Sequence, residues 1–139
     1  MKIFILFAGK PRDGNLNAFA GEFVQRASRF ASCEMREIDP RKFDPFSRHP
    51  TARKILLDPA GTLLDSAQFV RIFEDVAMSG TDLVFLVGGH SGLPEEWVSR
   101  GDQKISLSPM TFPHELARAI LAEQIYRALA TMNNHPYPR

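Results

Sequence analysis

Cysteine is almost absent from this chain of 139 residues, which contains only Cys33. A single cysteine cannot build an internal disulfide framework or a zinc site that needs several thiolates. Long apolar runs are also missing: the first one, near Met1, is far shorter than the roughly 20 residues that cross a bilayer, and no small-residue cleavage site follows it. The sequence therefore predicts a cytoplasmic protein without a membrane segment, in which Cys33 is small and half-buried.

Several ligand-binding patterns are absent as well. Neither the dinucleotide-binding pattern Gly-x-Gly-x-x-Gly nor a phosphate-binding loop ending in Gly-Lys-Ser/Thr occurs. The segment from Gly89 is close to the Gly-x-Ser-x-Gly of serine hydrolases, but Leu93 stands where the last glycine is required. His49 and His135 have no second ligand at helical spacing, so they are predicted to be surface residues and no metal site is predicted.

The chain also lacks a clear excess of positive or negative charge, since 17 basic and 16 acidic residues give a net charge of +1. The two signs are separated along the chain. Residues 1–60 contain eleven basic and seven acidic side chains, whereas residues 61–112 contain three and seven. One surface of the folded chain is therefore predicted to be basic although the whole is nearly neutral.

Strand-like and helical patterns alternate along the chain, which predicts a single α/β domain over residues 1–139 with a mostly parallel sheet. Continuous apolar or alternating stretches predict strands over 2–8, 33–38, 54–57, 83–87 and 104–107. Helical spacing predicts helices over 66–78 and 113–132, a helix beginning near 94, and a first helix that Asn15 or Asn17 caps and that ends near 31. Residues 39–53 are predicted to be a loop or a mobile segment, and residues 58–61 a turn.

The carboxyl ends of parallel strands are where α/β sheets bind ligands. That rule selects the positions after Leu57, at Gly88-Gly89 and around Leu107-Ser108. The two glycines permit a ligand to approach the backbone, although a tight strand-to-helix turn would also explain them. The segment 106–114, rich in hydroxyl residues, has backbone groups suited to a flat heterocycle, and a capped turn is the alternative.

Three basic residues on the last predicted helix have spacings that are compatible with either a structural or a functional role. His114 and Arg118 are four residues apart and share a face, which suits a phosphate contact or proton transfer. Arg127 is four residues from Glu123, and that spacing suits a solvated ion pair.

The last third of the chain carries a combination of motifs that resembles one family. These are Phe85-Leu86-Val87-Gly88-Gly89-x-x-Gly92-Leu93, Ser106-Leu107-Ser108-x-Met110-Thr111-Phe112-Pro113-His114, Glu123-Gln124-x-Tyr126-Arg127 and Asn134-His135-Pro136-Tyr137-x-Arg139. Together they resemble the bacterial methyltransferases that modify N3 of a pseudouridine in large-subunit ribosomal RNA, which belong to the SPOUT superfamily. The resemblance is strong over residues 83–139 and extends in outline to the rest.

The resemblance implies an α/β domain with a C-terminal trefoil knot, an exception to the rule that chains do not knot. It implies S-adenosylmethionine as cofactor, a homodimer, and the assembled ribosome as the source of the large-subunit RNA substrate. The cofactor-binding residues that it implies are Leu57, Gly89, Leu107, Ser108, Pro109, Met110, Thr111 and Phe112.

The catalytic residues implied by the resemblance are His114, Arg118, Tyr137 and Arg139. The family tail ends in Tyr-His-Arg/Lys, but Pro138 occupies the histidine position here, and proline can neither accept a proton nor donate a backbone N–H. His114, His135 or Tyr137 would then replace that histidine, and His90 is a further difference from the family. The missing histidine keeps open a catalytically impaired RNA- or ribosome-binding relative, and an unrelated nucleotide-binding α/β protein is the third hypothesis.

Overall fold

The computed structural model describes residues 1–137, which form one five-stranded sheet and five helices. No helix within these residues is both long and apolar enough to cross a membrane. In chain order the elements are β1 (Lys2–Phe7), α1 (Gly14–Ala27), β2 (Ser32–Glu37), α2 (Pro45–Arg48), β3 (Arg53–Leu63), α3 (Ser66–Ser79), β4 (Leu83–Val87), α4 (Glu95–Arg100), β5 (Gln103–Ser106) and α5 (His114–Met132).

The five strands are arranged in the order β2-β1-β4-β3-β5, and every neighbouring pair is parallel. β4 lies at the centre, which explains why all five of its residues are apolar and buried. The predicted α/β class and parallel sheet are therefore confirmed. The trefoil knot stays a prediction.

The two faces of the sheet are covered differently. Helices α1, α3 and α5 pack on one face and form the main core, in which Phe73, Phe85 and Ile125 are completely buried. A smaller core on the other face contains Trp97 of α4 and the side chains of Phe43 and Phe46 from the β2–β3 connection. That connection is irregular over most of its length, as predicted, but residues 45–48 form the short helix α2 and the connection packs on the sheet.

The first helix differs from its prediction at both ends. Asp13, and not Asn15 or Asn17, is the N-cap, because its carboxylate accepts a hydrogen bond from the Leu16 N–H at 3.0 Å. The helix ends at Ala27 and not near residue 31. The Ser28 hydroxyl bonds to the carbonyl oxygens of Val24 and Cys33, which turns the chain directly into β2.

The third strand is longer than predicted, because β3 continues to Leu63 through the expected turn at 58–61. Ile105 of β5 pairs with Leu57 before this irregular stretch and with Thr62 after it. The chain around Gly61 consequently lies directly against β5. A Cβ atom added to Gly61 would lie only 2.8 Å from the carbonyl carbons of Lys104 and Ile105.

We predict that Gly61→Ala destabilises the fold by about 1–3 kcal/mol, because backbone and not a flexible side chain opposes the added methyl group. The measurement is the free energy of unfolding in urea. Gly21→Ala is the matched control: Gly21 lies inside α1 with nothing within 4 Å of its Cβ position. That change is expected to stabilise the chain by about 1 kcal/mol, since alanine is the better helix former. Equal effects of the two changes would contradict this account of Gly61.

Candidate functional site

A cavity of about 340 Å³ lies where the irregular stretch of β3 after Leu57 and the carboxyl ends of β4 and β5 meet the beginning of α5. The three positions that the sequence selects all contribute to it, although the one after Leu57 lies within β3 and not at its end. Its walls combine apolar side chains with the backbone of this stretch and of the two loops after β4 and β5. The lining residues are Leu56, Leu57, Asp58, Pro59, Val87, Gly88, Gly89, Gly92, Leu93, Val98, Leu107, Ser108, Met110, Phe112, His114 and Ala117.

The loop after β4 is a tight turn that supplies backbone to the cavity. The Gly92 N–H donates to the Gly89 carbonyl at 3.0 Å, and Gly92 has a φ of +74°, which few other residues adopt. A Cβ atom on Gly89 would lie 2.7 Å from the Ala8 carbonyl oxygen, so this glycine is required by packing against the end of β1. His90 and Ser91, between the two glycines, are exposed.

The loop after β5 is shaped by its own serines. The Ser106 hydroxyl donates to the Ser108 carbonyl at 2.9 Å, and the Ser108 hydroxyl accepts from the Met110 N–H at 3.0 Å. These hydrogen bonds order the loop backbone through contacts among residues 106–110 themselves. Leu107, Ser108, Met110 and Phe112 line the cavity, whereas Pro109 and Thr111 are exposed and do not line it.

Met110 is the most exposed large apolar side chain at this cavity, with 73% of its surface accessible. An apolar side chain left open to solvent beside a cavity indicates a surface that a ligand can cover. The arrangement can hold a flat, partly apolar ligand whose polar edge meets loop peptide groups.

Of the three predicted catalytic residues that the structure describes, only His114 lines the cavity. It is the first residue of α5 and is half-buried, so its imidazole can exchange a proton with a ligand in the cavity. Arg139 lies outside the described residues. Arg118 and Tyr137 are placed elsewhere, each in a network of its own.

Arg118 is buried beneath this region, with 1% of its surface exposed. Its guanidinium lies over the Phe7 ring, 3.8 Å from the centroid, and donates to Asn17 at 3.2 Å. The Glu115 carboxylate is 3.6 Å away. Within residues 1–137, Nε and Nη1 of Arg118 have no hydrogen-bond partner, and burial lowers the pKa of this guanidinium. The predicted shared face with His114 therefore does not bring both side chains to the cavity.

Glu115 is a functional candidate that sequence reasoning missed. Its Oε1 accepts from the Arg12 backbone N–H at 2.5 Å and from the Asn17 side chain at 3.2 Å, and Oε2 accepts from the Asp13 N–H at 3.0 Å. The Arg12 bond is the main cause that holds the pKa of Glu115 below its usual range. These partners are about 100 residues away in the chain, so no local pattern could have identified the contact.

Tyr137 belongs to a second network around Glu123. Its hydroxyl donates to Glu123 Oε2 at 2.5 Å, and Arg127 donates to the same oxygen at 2.7 Å. The predicted pair between Arg127 and Glu123 is thus confirmed, with Tyr137 as an additional partner. Burial and the bond to Glu123 raise the pKa of Tyr137 to about 12, so this phenol is protonated at neutral pH.

Comparisons with known proteins agree with this architecture. A family model described as "Predicted SPOUT methyltransferase" matches residues 1–138. The ribosomal RNA large subunit methyltransferase H of Solibacter usitatus is 58% identical over 139 residues, which is all of both chains.

Solved structures support the fold at much lower identity. A probable methylase family protein from Haemophilus influenzae superposes with a TM-score of 0.62 at 11% identity, over 99% of this chain and 70% of that one. An rRNA methyltransferase with bound AdoMet from Sinorhizobium meliloti superposes with a TM-score of 0.54 at 13% identity, over 91% of this chain and 56% of that one. The sequence matches cover the whole length of the domain, and they establish that the chain belongs to the SPOUT methyltransferase family.

Proposed function

We propose that this protein is an S-adenosylmethionine-dependent methyltransferase that methylates N3 of a pseudouridine in large-subunit ribosomal RNA, with the assembled ribosome as its substrate. The observation that carries the proposal is the full-length, 58% identical relative named as a large-subunit rRNA methyltransferase. A cavity at the three loops where the resemblance expects the cofactor adds independent support.

The cavity residues fit this cofactor. Leu57, Leu93 and Phe112 offer apolar walls for an adenine ring, and the loop peptides after β4 and β5 offer donors and acceptors for its edge and its ribose. Met110 supplies an open apolar side chain that bound adenosine would cover. In this proposal Gly89, Leu107 and Ser108 contribute mainly backbone, while Pro109 and Thr111 support the loop without direct contact.

When bound, S-adenosylmethionine supplies a methyl group that its sulfonium has already activated. The protein then has to align the nucleophile and accept the N3 proton of the base. We assign proton acceptance to His114, because it is the only histidine that lines the cavity within residues 1–137. Arg118 acts as a positioning residue, since its guanidinium is buried and connects α5 to α1 and β1.

The C-terminal residues have a separate role in this proposal. Tyr137 is fixed to Glu123, and no part of it lines the cavity of its own chain. We propose that Tyr137 and Arg139 contact the RNA or the site of a second copy in a homodimer. The protein would act as one domain over residues 1–139, in the cytoplasm where ribosomes are found, without a metal ion.

We predict that Met110→Ala weakens S-adenosylmethionine binding about tenfold, which corresponds to losing about 1.4 kcal/mol of apolar burial. Isothermal titration with S-adenosylmethionine and S-adenosylhomocysteine measures the Kd. Met78→Ala is the matched control, because Met78 is 88% exposed on α3, away from the cavity lining. Unchanged affinity in Met110→Ala would remove this residue from the cofactor site, and no binding by the wild-type protein would refute the cofactor assignment.

We predict that His114→Ala lowers kcat for ribosome methylation by about 100-fold or more while the cofactor Kd changes little. His90→Ala tests the histidine in the turn after β4, and this variant is expected to retain most of the methylation rate. A large loss in His90→Ala together with a small one in His114→Ala would transfer the role to His90.

The substrate is tested by incubating the protein and radiolabelled S-adenosylmethionine with ribosomes that lack the modification, and with RNA extracted from those same ribosomes. We predict methylation of the ribosomes and little or none of the extracted RNA. Mass spectrometry of nuclease fragments locates the methyl group on N3 of a pseudouridine. Cofactor binding without methylation of either substrate would indicate the catalytically impaired relative.

A further inference from the structure

We propose that the loop between β1 and α1, residues 9–13, binds a backbone phosphate of the RNA through Lys10 and Arg12 and so orients the substrate at the cavity mouth. This inference rests on the proposed function and adds to it a binding surface. Four observations support it: the place of the loop, the way it is held, the availability of its cations, and the local balance of charge.

The loop lies beside the cavity. Gly89 lines the cavity, and the Ala8 carbonyl oxygen lies close to it. A Cβ atom added to Gly89 would be only 2.7 Å from that oxygen. Gly9 is also adjacent, since its Cβ position would be 3.9 Å from the Gly89 Cα. At the other end, Arg12 and Asp13 are bonded to Glu115, the residue that follows His114. The loop thus borders the cavity between the glycine turn and the start of α5.

The loop is held in one shape by carboxylates that bind its backbone. Glu115 accepts from the N–H groups of Arg12 and Asp13. Asp13 in turn accepts from the Leu16 N–H and caps α1, and its carbonyl accepts from the Asn17 side chain at 2.7 Å. Pro11 fixes its own φ. A loop ordered in this way loses little further entropy when it binds a ligand.

The two cations of the loop are available. Lys10 and Arg12 are exposed, and neither has a carboxylate within ion-pair distance among residues 1–137. Arg29, Arg48 and Arg71 are also exposed and have no carboxylate within that distance among these residues, so it is the place of Lys10 and Arg12 beside the cavity that distinguishes them. Unpaired cations carried on a fixed backbone are suited to phosphate, which arginine contacts through two N–H groups.

The nearby acids do not cancel this charge. Asp13 and Glu115 carry two formal negative charges, whereas Lys10, Arg12 and the Arg118 guanidinium, which lies 3.6 Å from Glu115, carry three positive ones, so the local sum is +1. Lys10 and Arg12 do not line the cavity, so the RNA backbone is a better partner for them than a group of the cofactor. An anion placed by this loop would lie next to the site where methylation is proposed.

The test is the double variant Lys10→Ala/Arg12→Ala, compared with Lys42→Ala/Arg29→Ala, which removes one exposed lysine and one exposed arginine elsewhere. We expect KM for ribosomes to rise about tenfold and the slope of log(kcat/KM) against log[salt] to fall by about 1–2, because each cation that is removed leaves one phosphate without its partner. The cofactor Kd should stay unchanged. The control pair should leave all three quantities as in the wild type.

A second variant tests the clamp. In Glu115→Ala the loop loses its acceptors, so trypsin should cut after Arg12 several times faster than in the wild type, while the Lys10–Pro11 bond resists trypsin in both. KM for ribosomes should rise with little change in the cofactor Kd.

The outcomes separate this inference from the proposed function. An unchanged KM and salt slope in the loop variant, with an active wild type, would overturn the phosphate contact. A weakened cofactor Kd would assign the cations to the cofactor and would overturn it as well. An inactive wild-type protein would instead refute the proposed function.

Discussion

The parallel alignment of β4 between β1 and β3 is the constraint on which the rest of the structure depends. Because the strands run in one direction, the irregular stretch of β3 after Leu57 and the loops that follow Val87 and Ser106 meet at one edge and enclose one cavity. The same alignment brings the end of β1 against Gly89, which places the loop of Lys10 and Arg12 at the cavity border. The cavity and the proposed phosphate contact therefore follow from one sheet geometry.

Some polar groups near this edge are hydrogen-bonded within the fold, and others are exposed to solvent. Glu115 and Asp13 accept hydrogen bonds from backbone donors, and Arg118 is buried with two guanidinium nitrogens that lack partners within the described residues. An arginine in such surroundings is costly, since each unsatisfied buried donor destabilises the fold. Its position over Phe7, in contact with Asn17, links the start of α1 to the end of β1 and to α5. The side chains that remain open to solvent at the edge include those of Lys10, Arg12, His90 and Met110.

Local sequence patterns predicted the elements well where one apolar run determines a strand or one apolar face determines a helix. The apolar run at β4 and the spacing of Phe69, Ile72 and Phe73 in α3 gave nearly correct bounds. The prediction was wrong where a distant contact decides, since β3 continues past Leu57 and β5 pairs with it on both sides of the irregular stretch. Local patterns also did not show that the β2–β3 connection packs on the sheet. The strand ends of the site were predictable from the fold class alone. The Glu115 clamp and the burial of Arg118 were not, because both depend on contacts across about 100 residues.

The strand order also has a consequence for how the chain folds. β1 precedes its partner β4 by about 80 residues in the chain, yet it lies inside the sheet, and the Lys2 N–H donates to Asp82 at 2.9 Å. Until β4 is available, one edge of β1 has no hydrogen-bonding partner from the final structure, and such non-local parallel pairing slows folding. A nascent chain of this protein therefore exposes an apolar strand edge from the synthesis of β1 until that of β4, which makes the folding of β1 a natural point of dependence on chaperones.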